Sequence, residues 1–100
     1  MDIENAIGKV RFSAARPQRV QLFRGDGMLF EMLCLEPEQE IDAPGPCAYY
    51  VVTGRARMAG DGEGFDLTAG TFAHVGPEEP HRLVNSGETR LICLAATPIS

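Results

Sequence analysis

The side chains best suited to chemistry in this sequence are an imidazole, a phenol and a thiol. His81 begins an apolar run, and strand alternation places Leu83 and Asn85 on the same face as this imidazole. Tyr49 shares a strand face with Cys47 by the same alternation. An imidazole can act as a general acid or base, and a phenol can donate a hydrogen bond or a proton. We therefore take His81, Tyr49 and Cys47 as the candidate ligand-binding residues and leave any catalytic role open.

Each of these residues also has a purely structural interpretation. Tyr49 can be a core residue, and Cys47 can be a buried thiol rather than a nucleophile. His74 shares a strand side with Phe72, which favours a packed or surface imidazole over a second ligand. A further set of acids repeats at every second position, as expected along one solvent-exposed face of a strand: Glu36, Glu38, Glu40 and Asp42.

Charge and composition exclude several classes of protein. The 100 residues carry nine Lys and Arg against fourteen Asp and Glu, a formal net charge of −5. We expect no nucleic-acid partner, because phosphate contacts need a basic surface. No apolar run approaches the roughly 20 residues of a membrane-spanning helix, so we expect no membrane insertion. Residues 1–5 do not resemble a secretory signal, and the three cysteines form no CxxC pair, which favours a cytoplasmic location with reduced thiols.

Turn residues at short intervals predict an all-β chain. Eleven glycines and seven prolines separate runs rich in Val, Leu, Tyr, Phe and Met. A helical apolar spacing occurs in residues 2–9 alone. We expect one domain over residues 1–100, folded as a small antiparallel β-barrel or two-sheet jelly roll, with residues 1–19 as an N-terminal extension or edge strand. The predicted strands are Val20–Phe23, Met28–Leu35, Ala48–Thr53, Arg55–Ala59, Phe65–Leu67, Thr71–Val75, Arg82–Asn85 and Thr89–Ala96.

Two segments, which together cover about half the chain, resemble the motifs of the cupin superfamily. Leu-Glu-Pro at 35–37, followed by Tyr-Val-Val-Thr-Gly-Arg-Ala-Arg-Met at 50–58, is similar to the first motif. The second motif, Pro-x-Gly-x-x-His-x-x-x-Asn, is similar to residues 67–71 and 75–85, where Pro80 directly precedes His81 and Asn85 follows. The resemblance implies a double-stranded β-helix, or jelly roll, of the RmlC-like cupin type.

The chain departs from the cupin pattern at the metal ligands. A metal-binding cupin offers His-x-His and a Glu before the His of its second motif, and only His81 matches. The alignment places Cys47 at the Glu position, and the two missing histidines fall on Glu40 and Asp42, or one residue later on Ile41 and Ala43. One interpretation is a site for Zn²⁺ or Fe²⁺ with mixed oxygen, sulfur and nitrogen ligands, namely His81, Cys47, Asp42 and Glu40. The other interpretation, which we favour, is a protein with no metal.

We accordingly predict a cytoplasmic small-molecule-binding cupin whose metal site is degenerate or atypical. The alternative is a metal-dependent dioxygenase or isomerase that uses the mixed ligand set, and it rests on analogy with other cupins. Met28–Leu35 and Leu91–Ala96 are apolar on both faces, so we also expect a homodimer. Cys34 and Cys93 lie within these runs and are predicted to be buried and unpaired, which leaves Cys47 as the first thiol to react.

Overall fold

Nine strands form two facing antiparallel sheets in the computed structural model, which describes residues 1–99. The first sheet has the strand order β1-β2-β9-β4-β7 and the second has the order β3-β8-β5-β6. This arrangement is a jelly roll, which confirms the predicted all-β fold class. The strands are β1 Gln18–Gly25, β2 Met28–Leu35, β3 Glu40–Ala43, β4 Cys47–Thr53, β5 Arg55–Gly60, β6 Glu63–Thr68, β7 Phe72–Val75, β8 His81–Asn85 and β9 Leu91–Pro98.

The observed strands agree with the predicted ones except for one addition and shifts at the ends. The addition is β3, in which Ile41 is buried while Glu40 and Asp42 are exposed. The helical spacing at residues 2–9 gives only a four-residue 3₁₀ helix, at Ala6–Lys9, which lies within the range to which helix was expected to be confined. None of its residues is buried, so its apolar side chains gain no packing energy that would extend it.

The two sheets do not close into a barrel. Within residues 1–99, no strand of one sheet pairs with a strand of the other, so the two sheets form an open sandwich, which matches the two-sheet jelly roll of the prediction and is not a closed barrel. β6 ends one sheet and β7 ends the other, and each pairs with a single neighbour, β5 or β4. Leu67 on β6 and Val75 on β7 are buried, whereas Phe65, also on the inner face of β6, is 60% exposed at this open edge.

The hydrophobic core lies between the sheets and receives buried side chains from β2 to β9. Along β8, His81, Leu83 and Asn85 are all buried while Arg82 points to solvent, which confirms the predicted alternation of this strand. The core positions are Leu33, Leu35, Ile41, Cys47, Tyr49, Val51, Ala56, Met58, Leu67, Val75, Leu83, Leu91, Cys93 and Ala95.

The turn between β4 and β5 depends on Gly54. Its φ is +95°, a conformation that side-chain-bearing residues rarely adopt. A Cβ at this position would lie 2.6 Å from the carbonyl oxygen of Arg90 and 3.0 Å from Cα of Leu91. The glycine therefore allows the β4–β5 turn to approach the start of β9 closely.

The outer face of the five-stranded sheet carries exposed aromatic side chains. Phe30, Tyr50 and Phe72 are exposed by 40%, 44% and 65%. Tyr50 lies opposite Phe72 on one side and Leu94 on the other, so the apolar surface is continuous across three strands. We call this surface the outer apolar face: Phe30, Tyr50, Phe72 and Leu94.

The three thiols are free and buried. Cys34 and Cys93 are fully inaccessible, which confirms the prediction for these two residues. Cys47 is also buried, at 5% exposure. In the described part of the chain, no helix has the length and apolar character needed to cross a membrane.

Candidate functional site

A hydrogen-bonded pair joins the two sheets inside the core. Tyr49 lies in the middle of β4, and His81 is the first residue of β8 on the opposite sheet. The Tyr49 hydroxyl is 2.6 Å from Nε2 of His81, and the two rings meet edge to face at a centroid distance of 5.4 Å. Tyr49 is 2% exposed and His81 is 7% exposed. The structure therefore brings together two of the three residues predicted to bind a ligand.

The hydrogen bonds assign the tautomer of His81. Its Nδ1 lies 3.1 Å from the backbone carbonyl oxygen of Glu79, which can only accept, so Nδ1 carries the hydrogen. In the neutral ring, Nε2 is then the acceptor of the hydrogen bond that the Tyr49 hydroxyl donates. Both ring nitrogens are satisfied, and no buried side-chain nitrogen or oxygen in residues 1–99 lacks a partner.

Burial keeps the neighbouring titratable groups neutral. Desolvation, followed by a hydrogen bond with Cys47, raises the pKa of Tyr49 well above its usual range. Desolvation also raises the pKa of the Cys93 thiol to about 12. At neutral pH, Tyr49 is therefore a proton-bearing donor to His81 and does not act as a phenolate base.

The third predicted residue, Cys47, is next to Tyr49 on the inner face of β4. Its Sγ lies 3.5 Å from Oγ1 of Thr97 and 3.8 Å from the carbonyl oxygen of Ala48. Since it is 5% exposed, it has no open path to a ligand in this conformation.

An ion pair on the same inner face was not predicted from the sequence. Arg19 lies opposite the core residue Leu33, and Glu31 lies opposite the core residue Ala95. The guanidinium Nη2 of Arg19 is 3.4 Å from Oε1 of Glu31, whose side chain is 13% exposed. A glutamate inside the otherwise apolar run Met28–Leu35 was the signal in the sequence that marked this position.

The two acids of the predicted mixed metal site lie on the wrong side of the sheet. Asp42 pairs across the strands with Arg82, whereas Ala43 pairs with His81. Because neighbouring residues of a strand point to opposite faces, Asp42 and Glu40 point outward. Both contact Arg82 Nε, at 3.0 Å and 3.4 Å respectively. The structure does not bring Glu40 and Asp42 to His81, and the four-residue set does not form.

The residues present do not fit the metal centre of metal-binding cupins. Ligation by Nε2 of His81 would break its 2.6 Å hydrogen bond with Tyr49, and Nδ1 already bonds the Glu79 carbonyl. The Cys47 thiol contacts Thr97 instead of facing an open position. Across residues 1–99, no group of three or more His, Cys, Asp or Glu side chains is placed to hold a metal ion.

A cleft of about 480 Å³ opens between the edge strands β6 and β7 and reaches His81. Tyr49 and Cys47 do not line it, since they lie deeper, behind the imidazole. A larger depression of about 770 Å³ on the outside of the β5–β6 hairpin also touches His81, but exposed loop residues and charged side chains form most of it. We therefore take the β6–β7 cleft as the candidate site. Its apolar walls are Met58, Phe65, Leu67, Ala73, Val75 and Pro80.

Comparison with known protein families agrees with this architecture. The family described as the cupin domain matches residues 35–97. This chain belongs to the cupin superfamily. The matched segment spans both motifs and contains Tyr49, His81 and Asn85.

Several solved structures superpose on all or nearly all of the chain. A Thermus thermophilus protein is 19% identical with a TM-score of 0.90, and the match covers 100% of each chain. A double-stranded β-helix protein from Klebsiella pneumoniae is 25% identical with a TM-score of 0.88, covering 98% of this cupin and 90% of that chain. The Cnp3 cupin domain of Schizosaccharomyces pombe is 10% identical with a TM-score of 0.83, covering 98% and 70%. No curated protein matches the sequence.

Proposed function

We propose that this cupin binds a small organic molecule in the β6–β7 cleft without the help of a metal. In this proposal His81 contacts the ligand, and Tyr49 and Cys47 position the imidazole from behind. The observation that carries the proposal is an accessible cleft that ends on a buried, fully hydrogen-bonded His–Tyr pair. A volume of about 480 Å³ falls in the range of roughly 300–1,000 Å³ that is usual for small-molecule sites.

A fragment library screened by amide NMR tests this proposal. We expect hits that shift the amide signals of β6, β7 and His81. Phe65→Ala removes a 60%-exposed wall of the cleft, so it should weaken those hits about fivefold to tenfold at little cost in stability. Phe72→Ala is the matched control, because Phe72 is 65% exposed on the outer apolar face. The proposal fails if no fragment shifts the cleft signals, or if the two variants bind alike.

The metal content of the protein distinguishes this proposal from a metal-dependent dioxygenase or isomerase. If the proposal is correct, protein purified without chelator should contain far less iron or zinc than one ion per chain by elemental analysis. Glu40→Gln and Asp42→Asn should leave that content unchanged, because both carboxylates pair with Arg82 on the outer face. Stoichiometric metal in the wild type that disappears in His81→Ala would favour the enzyme instead.

We also infer that the cupin is a homodimer that pairs through its outer apolar face. Three exposed aromatic side chains there remain accessible in the single chain. A stable interface buries about 800 Å² on each partner, and an isologous pair would double every favourable contact. Light scattering at micromolar concentration should give a dimer mass, and Tyr50→Glu should give a monomer. A monomeric wild type, or a Tyr50→Glu dimer, contradicts the inference.

A cytoplasmic location remains part of the proposal. Its support is the state of the thiols, since Cys34, Cys47 and Cys93 are all free. Proteins of this size in oxidising compartments commonly pair their cysteines for stability.

A further inference from the structure

We propose that the β6–β7 cleft selects an organic cation, namely a protonated amine attached to an apolar body. The inference rests on the proposed function, since it assigns a ligand class to the same cleft. Three features of the cleft support it: an accessible aromatic wall, a rim of carboxylates, and an imidazole with no hydrogen to offer an anion.

The aromatic wall is Phe65 on β6. Phe65 lies directly opposite the core residue Met58, so its side chain is on the inner face of the sheet. It is nevertheless 60% exposed, because β6 and β7 do not pair and no strand covers the ring. An inward-facing ring at a cleft mouth offers apolar contact, and its face can also attract a cation.

The charges on the cleft are of one sign. Four acidic residues contribute to its lining, and none of its lining residues is a lysine or an arginine: Asp61, Glu63, Asp66 and Glu79. Arg57 neutralises Asp66 from outside the cleft, at 3.0 Å. Within residues 1–99, Asp61 and Glu63 have no ion-pair partner. A cleft with low-dielectric walls and uncompensated carboxylates attracts cations and repels anions.

The floor of the cleft also disfavours an anion. Anionic ligands are held by N–H or O–H donors, and the hydrogens of the His81–Tyr49 pair are already used. Nδ1–H of His81 donates to the Glu79 carbonyl, and the Tyr49 hydroxyl donates to Nε2. A carboxylate or phosphate at this position would have to break one of these buried bonds.

A bare metal ion is a poor fit for the same cleft. The described residues include no group of three or more His, Cys, Asp or Glu side chains that could hold a metal ion. The apolar walls would remain exposed around a hydrated ion, whereas the hydrocarbon part of an organic amine would cover them. The acidic residues of the cleft therefore match the ammonium group of an organic amine, and its apolar walls match the hydrocarbon body.

Three probes with the same ring test the charge preference: phenethylamine, 2-phenylethanol and 3-phenylpropionate. Each is titrated at neutral pH and low salt while the amide signals of β6 and β7 are followed by NMR. We expect the amine to bind about tenfold or more tightly than the carboxylate, with the alcohol between them. Raising the ionic strength should weaken the binding of phenethylamine and leave the binding of 2-phenylethanol unchanged.

Paired charge variants locate the effect. The double variant Asp61→Asn, Glu63→Gln should bind phenethylamine about threefold to tenfold more weakly than the wild type does. Its binding of 2-phenylethanol should be unchanged. Glu38→Gln with Glu88→Gln removes the same charge near the opposite end of β8 and should change neither probe. Glu38 and Glu88 are both exposed, and the Glu38 backbone bonds Asn85, the last residue of that strand.

The outcomes separate this inference from the proposed function. Equal or tighter binding of 3-phenylpropionate at the cleft overturns the charge preference and leaves the ligand site standing. The charge preference is also overturned if the cleft variants still bind the amine as the wild type does. If none of the three probes shifts the cleft signals while library fragments do, the amine class is wrong and the site stands. If no fragment binds either, the proposed function fails and this inference fails with it.

Discussion

Asn85→Asp is expected to destabilise the fold by about 3 kcal/mol or more at neutral pH, the largest effect we foresee for a one-atom change. The Asn85 side chain is 1% exposed and bonds three backbone groups. Its Nδ2 donates to the carbonyl oxygens of Leu35 and Thr89, at 2.9 Å each, and its Oδ1 accepts from the Gly87 amide at 3.0 Å.

The aspartate form loses both donors. Two backbone carbonyl oxygens are left without this partner, and an ionised carboxylate is placed against them in a buried site. The folded state therefore raises the pKa of the new carboxyl. A raised pKa means that the penalty is smallest below about pH 4, where the unfolded carboxyl is also protonated, and grows as the pH rises.

Denaturant unfolding measures this change in free energy. Asn5→Asp is the matched control, since Asn5 caps the exposed 3₁₀ helix with Oδ1 and aspartate is an equally good cap. We expect the control to change stability by less than about 0.5 kcal/mol. A loss below about 1 kcal/mol for Asn85→Asp, or a loss that does not depend on pH, would contradict the assigned role.

Local residue types were enough to predict most of the fold. Glycines and prolines mark chain reversals, so the strands between them were found, and the turn at Gly54 needs the positive φ that glycine allows. The helical spacing at residues 2–9 produces only a short 3₁₀ helix, at Ala6–Lys9, because an amphipathic spacing forms a stable helix only when its apolar face packs against other residues. Closure of the barrel was not predictable either, since it depends on whether β6 and β7 meet, and no local pattern records that.

The candidate site could be predicted only in part, for a related reason. Strand alternation correctly placed Tyr49 with Cys47 on one strand face, and His81 with Leu83 and Asn85 on another. It could not show that the hydroxyl and the imidazole bond each other, because that contact depends on how the two sheets superpose. The direction of the Asp42 side chain depends on the register of β3 against β8. Because Asp42 lies opposite Arg82, it faces solvent, whereas a shift of one residue would have turned it toward the core.

Glu31 shows the value of a residue that breaks a pattern. A charged side chain in an apolar strand costs free energy unless it is paired, so its presence indicated a partner nearby. Arg19 supplies that partner from the neighbouring strand β1. The sequence marked the position, but the identity of the partner required the register of β1 against β2.

The Tyr49–His81 hydrogen bond is expected to dominate the energetics of the site, and a double-mutant cycle measures it. Tyr49→Phe leaves Nε2 of His81 buried without a donor, and His81→Leu leaves the Tyr49 hydroxyl buried without an acceptor. Each single change should therefore cost about 1–3 kcal/mol in unfolding free energy, beyond the packing cost of replacing the ring. The double variant replaces both partners with apolar groups and leaves neither one unsatisfied.

We expect the double variant to lose less stability than the sum of the two single variants, by a coupling energy of about 1–2 kcal/mol. Tyr50→Phe is the matched control, because Tyr50 is 44% exposed on the outer apolar face and should show no coupling with His81. The sign of the coupling decides the role of the pair. If the stability losses of the two single variants simply add, the Tyr49 hydroxyl and the imidazole are not hydrogen-bonded in solution. Nε2 of His81 would then be free to contact a ligand or a metal. A positive coupling means that both ring nitrogens of His81 are held by hydrogen bonds within the protein, which leaves the imidazole no hydrogen to offer an anion in the cleft.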